Sequence, residues 1–131
     1  MIPENTELTV PGPRLDHEDC RGVGKVLSRV GDKWSVLIVM LLRDGPRRFN
    51  EIKHLVEGIS QRMLALTLKG LERDGMVTRT VFPTIPPRVD YELTALGHSL
   101  SKPVLQLGLW AQAHLVEIEA ARRRFDQRKA G

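Results

Sequence analysis

Cysteine, aromatic side chains and long apolar runs are all scarce in this chain of 131 residues. It holds one cysteine, Cys20, so neither a disulfide nor a cysteine-based metal site can form within a single chain. Aromatic residues make up 5% of the sequence, and the longest unbroken apolar run, 36–42, is far too short to span a membrane. The N-terminus shows no basic and apolar leader. These absences predict a soluble, cytoplasmic protein without membrane association.

Charge is divided unevenly along the chain. Residues 1–19 carry five acidic side chains and one basic side chain, a net charge of −4, whereas the whole chain carries +4, which leaves +8 for residues 20–131. A basic body suits a polyanionic partner, although many basic domains bind no nucleic acid. We predict a flexible acidic arm over 1–19, one folded domain over 20–118 and a basic tail over 119–131.

Apolar spacing and capping residues predict two helices at the start of the domain. Val23, Val26, Leu27 and Val30 recur at helical spacing, which predicts an amphipathic helix over 21–30. Asp32 is a suitable N-cap for a second, almost wholly apolar helix over 33–43. The first helix is therefore expected on the surface of the core and the second within it.

The stretch 45–93 is the most informative part of the chain. It predicts a short helix over 49–56, a turn at Gly58 and a second helix over 61–73 with Ser60 as its N-cap. Strands over 76–82 and 89–93 flank a loop with three prolines, which cannot form a regular ladder. This order predicts a mainly α fold with a small two-stranded β wing, the winged helix-turn-helix that places one helix in the DNA major groove.

A further helix follows the wing. Thr94 is a suitable N-cap, and an apolar stripe continues along the helix from Ala95, which we expect to break or kink near Pro103. The apolar residues around Trp110 are expected to fill a dimer interface rather than a cofactor pocket, and no cofactor or metal is predicted. The expected interface residues are Val104, Leu107 and Trp110.

Several short motifs, in the order in which they occur along the chain, resemble those of the HxlR family of bacterial winged helix-turn-helix regulators. This family is related in fold to the MarR regulators. The resemblance covers about residues 20–110. The motifs are Gly31-Asp32-Lys33-Trp34, Gly45-Pro46-x-Arg48-Phe49, Gly58-Ile59-Ser60, Met63-Leu64, Leu71-Glu72-x-Asp74-Gly75, Pro86-Pro87-Arg88-Val89 and Tyr91-x-Leu93-Thr94.

The resemblance implies a homodimer that binds double-stranded DNA and regulates transcription. In such a protein the N-terminal and C-terminal helices build the dimer interface, and the helix that begins after Ser60 reads the bases. The resemblance also implies palindromic or near-palindromic operators and a role near divergently transcribed genes.

Residues on the outward face of the second motif helix are the predicted base readers. Leu64, Leu68 and Leu71 form an inward stripe, which leaves a polar and basic face outward. Glutamine can pair with adenine, arginine with guanine or phosphate, and small or apolar side chains with thymine methyl groups, while the helix N-terminus favours a phosphate. The alternative is a solvated helix face. The predicted DNA contacts are Ser60, Gln61, Arg62, Ala65, Leu66 and Lys69.

Gly70 does not fit this pattern, since glycine inside a helix costs about 1 kcal/mol unless close packing requires it.

Four arginines outside the helix are also candidates for DNA contacts. Arg47 and Arg48, at the start of the first motif helix, are expected to contact phosphates. Arg79 has two possible roles, a phosphate contact or an ion pair with Asp74. Arg88, expected at the wing tip, either enters the minor groove or pairs with Asp90 or Glu92.

Cys20 is the candidate for control. In proteins that the chain resembles, a cysteine just before the first core helix is common, and in some it senses oxidants or electrophiles by bonding between subunits. The alternative is an unreactive, partly buried thiol.

The sequence as a whole predicts a DNA-binding regulator with an unidentified effector. The alternative function is a winged-helix protein-interaction module that does not read DNA. No cluster of residues suggests an enzyme.

Overall fold

The computed structural model describes residues 17–130, with the side chains of 20–129. Most of the predicted acidic arm, 1–16, lies outside the described residues. Helix α1 spans His17–Val30 and so begins within the last three residues assigned to that arm. Helix α2 spans Lys33–Leu42, and its predicted cap is confirmed, because the Asp32 carboxylate accepts a hydrogen bond from the Ser35 backbone N–H at 3.2 Å.

Two helices at a turn form the predicted helix-turn-helix. Helix α3 spans Phe49–Leu55 and helix α4 spans Gln61–Arg73. Gly58, between them, has a φ of +88°, a left-handed conformation that glycine adopts without a steric penalty. Ser60 caps α4 as predicted, since its Oγ accepts the Met63 backbone N–H at 3.0 Å. The turn at Gly58 and the cap at Ser60 therefore determine where α4 begins.

The sheet has three antiparallel strands in the order β1-β3-β2, not the two that we predicted. Strands β2, Val77–Phe82, and β3, Arg88–Leu93, form the expected wing, with Val77 opposite Leu93. The added strand β1 is Arg47–Arg48, which pairs with β3. Two residues are too few to show an alternating pattern, so β1 arises from its tertiary partner rather than from its own sequence.

Helix α5 is one long element, Ala95–Ala130, that continues through Pro103. The predicted break at Pro103 is therefore wrong, because a proline removes one backbone donor and the rest of the helix keeps its hydrogen bonds; the alternative, a kink at Pro103, stays a prediction. The helix also absorbs most of the residues that we assigned to a basic tail. Its predicted N-cap is confirmed, because Thr94 Oγ1 accepts the Gly97 backbone N–H at 3.0 Å.

The core lies where α2, α3 and α4 meet the base of the sheet. Its fully buried side chains include the predicted inward stripe of α4 and Ile38, Val39 and Leu42 of α2, so the predicted positions of both helices in the core are confirmed. No helix among residues 17–130 is long and apolar enough to cross a membrane. The largest of the fully buried apolar residues are Ile38, Leu42, Ile52, Leu64, Leu68 and Leu71.

Candidate nucleic-acid interface

Helix α4 has one face in the core and one face in solvent. Leu64, Leu68 and Leu71 are at most 1% exposed, whereas each predicted base reader has an exposed side chain. Leu66 is 54% exposed, although apolar burial would favour the core for a leucine. The structure thus brings the predicted readers together on one accessible surface, which consists of Gln61, Arg62, Ala65, Leu66 and Lys69.

The N-terminal end of α4 combines a cap with accessible polar side chains. Ser60 uses its oxygen to satisfy the Met63 N–H, and its hydroxyl proton remains available for a phosphate. Thr67, one turn further along, is buried and donates its hydroxyl to the Met63 carbonyl at 2.7 Å. Helix N-termini favour anions through their unsatisfied N–H groups and their dipole. This end of α4 is therefore suited to approach DNA.

Arg47 and Arg48 precede α3, in the short strand β1 rather than in the first helical turn. Arg48 is exposed, and its backbone N–H donates to the Glu51 carboxylate at 3.1 Å. Arg47 is half-buried and its Nη1 lies 3.5 Å from Glu51 Oε2. Of the two guanidinium groups, that of Arg48 is the more accessible to a phosphate.

Arg88 occupies the first position of β3, below the wing tip. Its Nε lies 3.3 Å from Asp90 Oδ1, and its guanidinium lies 4.3 Å from the centre of the Phe82 ring. The expectation that Arg88 stands at the tip is wrong, because these contacts draw it against the strands. The tip instead presents Ile85, which is fully exposed. Of the alternatives for Arg88, the ion pair with Asp90 is the contact that the structure shows.

Arg79 is an exposed residue of β2, opposite Tyr91. The suggested ion pair between Arg79 and Asp74 is not formed, because Asp74 pairs with Arg29 of α1, whose Nε lies 2.8 Å from Asp74 Oδ2. Sequence reasoning did not find Arg29 as a neighbour of α4. Gly70 was the signal, since an ideal Cβ built there would lie only 2.5 Å from Arg29 Cζ.

The residues predicted for the dimer interface differ in burial. Val104 is 6% exposed and lies beside Val39, Leu71 and Leu100, so within this chain it already belongs to the interior. Leu107 and Trp110 lie further along α5 and are exposed. Of the three predicted interface residues, only Leu107 and Trp110 are open to a partner.

Trp110 has a defined place despite its exposure. Its ring stacks on that of His114 at a centroid distance of 4.5 Å, and His114 Nδ1 lies 2.8 Å from the Trp110 carbonyl oxygen. A large side chain held in place on an open surface is typical of association sites.

Cys20 is exposed on the first turns of α1, not partly buried as the alternative reading of this residue required. Val23, Val26 and Leu27, on the same helix, are exposed as well. Within residues 17–130, no group of three histidine, cysteine or acidic side chains could hold a metal ion.

The fold has a short helix, a turn, a second, capped helix and a wing, with basic side chains on the exposed surface, which together define a winged helix-turn-helix. The chain belongs to the family described as HxlR-like helix-turn-helix, whose model matches residues 29–119. It is therefore a transcriptional regulator with a helix-turn-helix domain, and its relatives are regulators rather than enzymes.

Individual relatives agree with this assignment. The chain is 41% identical to the uncharacterized HTH-type transcriptional regulator YtfH of Escherichia coli (strain K12) over 106 residues, which are 81% of this chain and 82% of that protein. The solved structure of the putative transcriptional regulator ytfH from Salmonella typhimurium has a TM-score of 0.72 and 40% identity, over 77% of this chain and 90% of that one. The redox regulator HypR in its oxidized form has a TM-score of 0.66 and 40% identity, over 70% and 95%.

Proposed function

We propose that the protein is a sequence-specific, homodimeric DNA-binding regulator that inserts α4 into the major groove. The observation that supports this most directly is the division of α4 into a buried leucine stripe and an exposed face with polar, basic and small side chains. A solvated helix face would also carry Arg62 and Lys69, but the exposed Leu66 beside them favours a face that contacts a partner.

Each predicted base reader on α4 has a chemically suitable target. Gln61 pairs with the N6 and N7 edge of adenine, and Arg62 with guanine O6 and N7 or with a phosphate. Ala65 permits close approach to a base edge, and Leu66 contacts thymine methyl groups. Lys69, further from the helix N-terminus, contacts a phosphate.

Residues outside α4 position the domain on the sugar-phosphate backbone. Arg48 and Arg79 are exposed and free to reach phosphates, and the Ser60 hydroxyl adds a donor at the helix N-terminus. Arg47 contributes less, because its guanidinium lies near Glu51. Arg88 braces the wing through Asp90 and Phe82, and it reaches the minor groove only by leaving them.

The exposed apolar residues of α1 and of the second part of α5 form the dimer interface in this proposal. By the helical rise of about 1.5 Å per residue, α5 is roughly 54 Å long, far more than the core requires. Apolar surface on this scale is costly in water, and a second copy that carries the same surface would cover it. The interface would include Val23, Val26, Leu27, Leu107, Leu109, Trp110, Leu115 and Val116.

Two copies related by a twofold axis would present two α4 helices to DNA. Dimers of this kind read half-sites about 34 Å apart, one helical turn, so the operator is expected to be palindromic or nearly so.

The primary test is fluorescence anisotropy of the purified protein on DNA from upstream of its own gene, with a scrambled duplex for comparison and at several salt concentrations. We expect salt-dependent binding that prefers the native duplex by about 10³-fold or more. Arg62→Glu and Lys69→Glu should lower the affinity for the native duplex, whereas Lys102→Glu, a charge reversal on an exposed position of α5, should leave it unchanged. Equal, weak binding to tiled upstream duplexes and to the scrambled control would favour a protein-interaction module.

We further propose that oxidation of Cys20 joins two protomers and changes DNA affinity. Cys20 is exposed on the helix assigned to the interface, and HypR, which is similar to this chain, is a redox regulator. In this reaction two thiols release two protons and transfer two electrons to an oxidant such as diamide, and one disulfide forms between them. Non-reducing gels should show a crosslinked dimer for wild type but not for Cys20→Ser. A wild-type chain that stays monomeric on the gel, with unchanged DNA binding, would contradict the proposal.

A further inference from the structure

One ion pair joins the last turn of the reading helix to the first helix of the domain. Arg29, near the end of α1, donates from Nε to Asp74 Oδ2 at 2.8 Å, across 45 positions of sequence. Asp74 is the C-cap residue of α4, and its backbone N–H donates to the Gly70 carbonyl oxygen at 3.0 Å. Arg29 therefore contacts the turn of α4 that ends the helix.

Gly70 supplies the space for this contact. An ideal Cβ at position 70 would lie 2.5 Å from Arg29 Cζ and 2.7 Å from Nη2. Both distances are far shorter than 3.4 Å, where ordinary van der Waals contact begins. The guanidinium thus lies flat on the flank of α4, where any side chain would displace it. A glycine in the interior of a 13-residue helix is otherwise unfavourable, and the close approach of Arg29 accounts for it.

The electrostatics of the helix end make Asp74 and Arg29 depend on each other. The C-terminus of a helix carries partial negative charge, which disfavours a carboxylate such as that of Asp74 and favours a cation. Arg29 places its positive charge beside the Asp74 carboxylate, at this negative end of the helix. Both side chains are about one-third exposed, so the pair adds little to overall stability and instead restricts where α4 lies relative to α1.

We propose that Arg29 is a positioning residue for DNA recognition: through Gly70 and Asp74 it holds α4 at a set distance and angle from the dimerisation helix α1. This inference rests on the proposed function. In the homodimer, the α1 helices belong to the shared interface, so a fixed link from α1 to α4 sets the separation of the two reading helices. The separation selects operators with one half-site spacing, which makes Arg29 a specificity residue that contacts no DNA.

The test compares operators whose two half-sites are moved apart or together by one or two base pairs. Each added base pair moves the second half-site by about 3.4 Å and rotates it by about 34°. We expect wild type to prefer its native spacing by about tenfold or more, a loss comparable to that of a mismatched base pair. Arg29→Ala, Asp74→Ala and Gly70→Ala should reduce this preference to about threefold or less while affinity for a single half-site stays unchanged.

Gly70→Ala is the most informative variant. Alanine raises helix propensity, and the three atoms nearest to its Cβ all belong to the flexible end of Arg29, so a loss of spacing preference cannot come from a weakened helix. Lys25→Ala is the matched control, because it removes one positive charge from α1 one turn before Arg29. The double variant Arg29→Ala/Asp74→Ala should lose no more preference than either single variant, as expected for one shared contact.

A geometric readout that needs no DNA completes the design. A spin label on Glu72→Cys, in a Cys20→Ser background, reports the distance between the α4 helices of the dimer. We expect a narrow distribution that broadens on Gly70→Ala and not on Lys25→Ala. Unchanged spacing preference and an unchanged distribution in the variants would overturn the role of Arg29 alone. A wild-type protein that binds no operator would instead overturn the proposed function, a distinct outcome.

Discussion

The helix-turn-helix region and the terminal helices differ in how far the chain itself buries their apolar side chains. In α2, α3 and α4 the large aliphatic residues of the core are almost fully buried, whereas in α1 and the second part of α5 they remain open to solvent. Val116 of α5 is 78% exposed, but Ile38 of α2 is not exposed at all. The first region is a finished fold within one chain. The second is the surface that a second copy of the chain covers in the proposed dimer.

Leucines two positions apart on α4 offer the sharpest way to separate stability from recognition. Leu68→Ala should lower the free energy of unfolding by about 2–5 kcal/mol, because it leaves a cavity in the core. Leu66→Ala, on the exposed face, should change it by about 0.5 kcal/mol or less and weaken operator binding instead. Urea denaturation at one protein concentration, together with anisotropy, measures both. Equal destabilisation by the two changes would contradict the division of α4 into two faces.

Arg62→Glu tests the outward face directly. Loss of a base or phosphate contact, together with repulsion between the new carboxylate and DNA, should reduce operator affinity by about 10²-fold. The thermal midpoint should stay close to that of wild type, because Arg62 is exposed. Affinity within about threefold of wild type would remove Arg62 from the proposed base readers.

Trp110 and Val104 compare the two parts of α5. Trp110→Ala should weaken dimerisation by about 2 kcal/mol or more, as expected for a central aromatic anchor, with little effect on the fold of each protomer. Val104→Ala should instead destabilise the fold of each protomer and leave dimerisation nearly unchanged, because Val104 already packs inside one chain. Sedimentation equilibrium and thermal unfolding distinguish these results. A Trp110→Ala protein with wild-type dimer affinity would place the interface elsewhere.

The smallest expected effect concerns the neighbouring arginines of β1. Arg48→Ala should reduce the slope of log affinity against log salt by about one unit, since each phosphate contact releases close to one counterion. Arg47→Ala should change the slope less, because its guanidinium lies 3.5 Å from Glu51. Salt titrations of the two variants give the comparison directly. A larger change for Arg47 would mean that it leaves Glu51 when DNA binds.

Local chemistry was sufficient to predict most of α4. Ser60 caps the helix, and leucines four and three positions apart bury one side, so both its start and its inward face follow from neighbouring residues. The same holds for Asp32 and Thr94 at the starts of α2 and α5. Caps and apolar periodicity depend on contacts within a few residues, which is why they are readable from the sequence.

Features that depend on distant residues could not be read in this way. Strand β1 exists because β3 lies beside it, and α5 continues through Pro103 because a long helix tolerates one missing donor. Arg88 lies against Asp90 and Phe82 rather than at the wing tip, since its side chain finds two favourable contacts there. None of these outcomes is encoded by spacing alone.

The sequence by itself determined the winged helix-turn-helix, its caps and the face of α4 that is turned outward, because short-range hydrogen bonds and hydrophobic periodicity specify them. Tertiary structure alone decided that Arg29 lies on Gly70 and pairs with Asp74, and that Val104 is interior while Trp110 is open. These features follow from how helices that are distant in the chain pack together. Arg29 and Asp74, for example, are 45 positions apart, a separation over which no local pattern carries information.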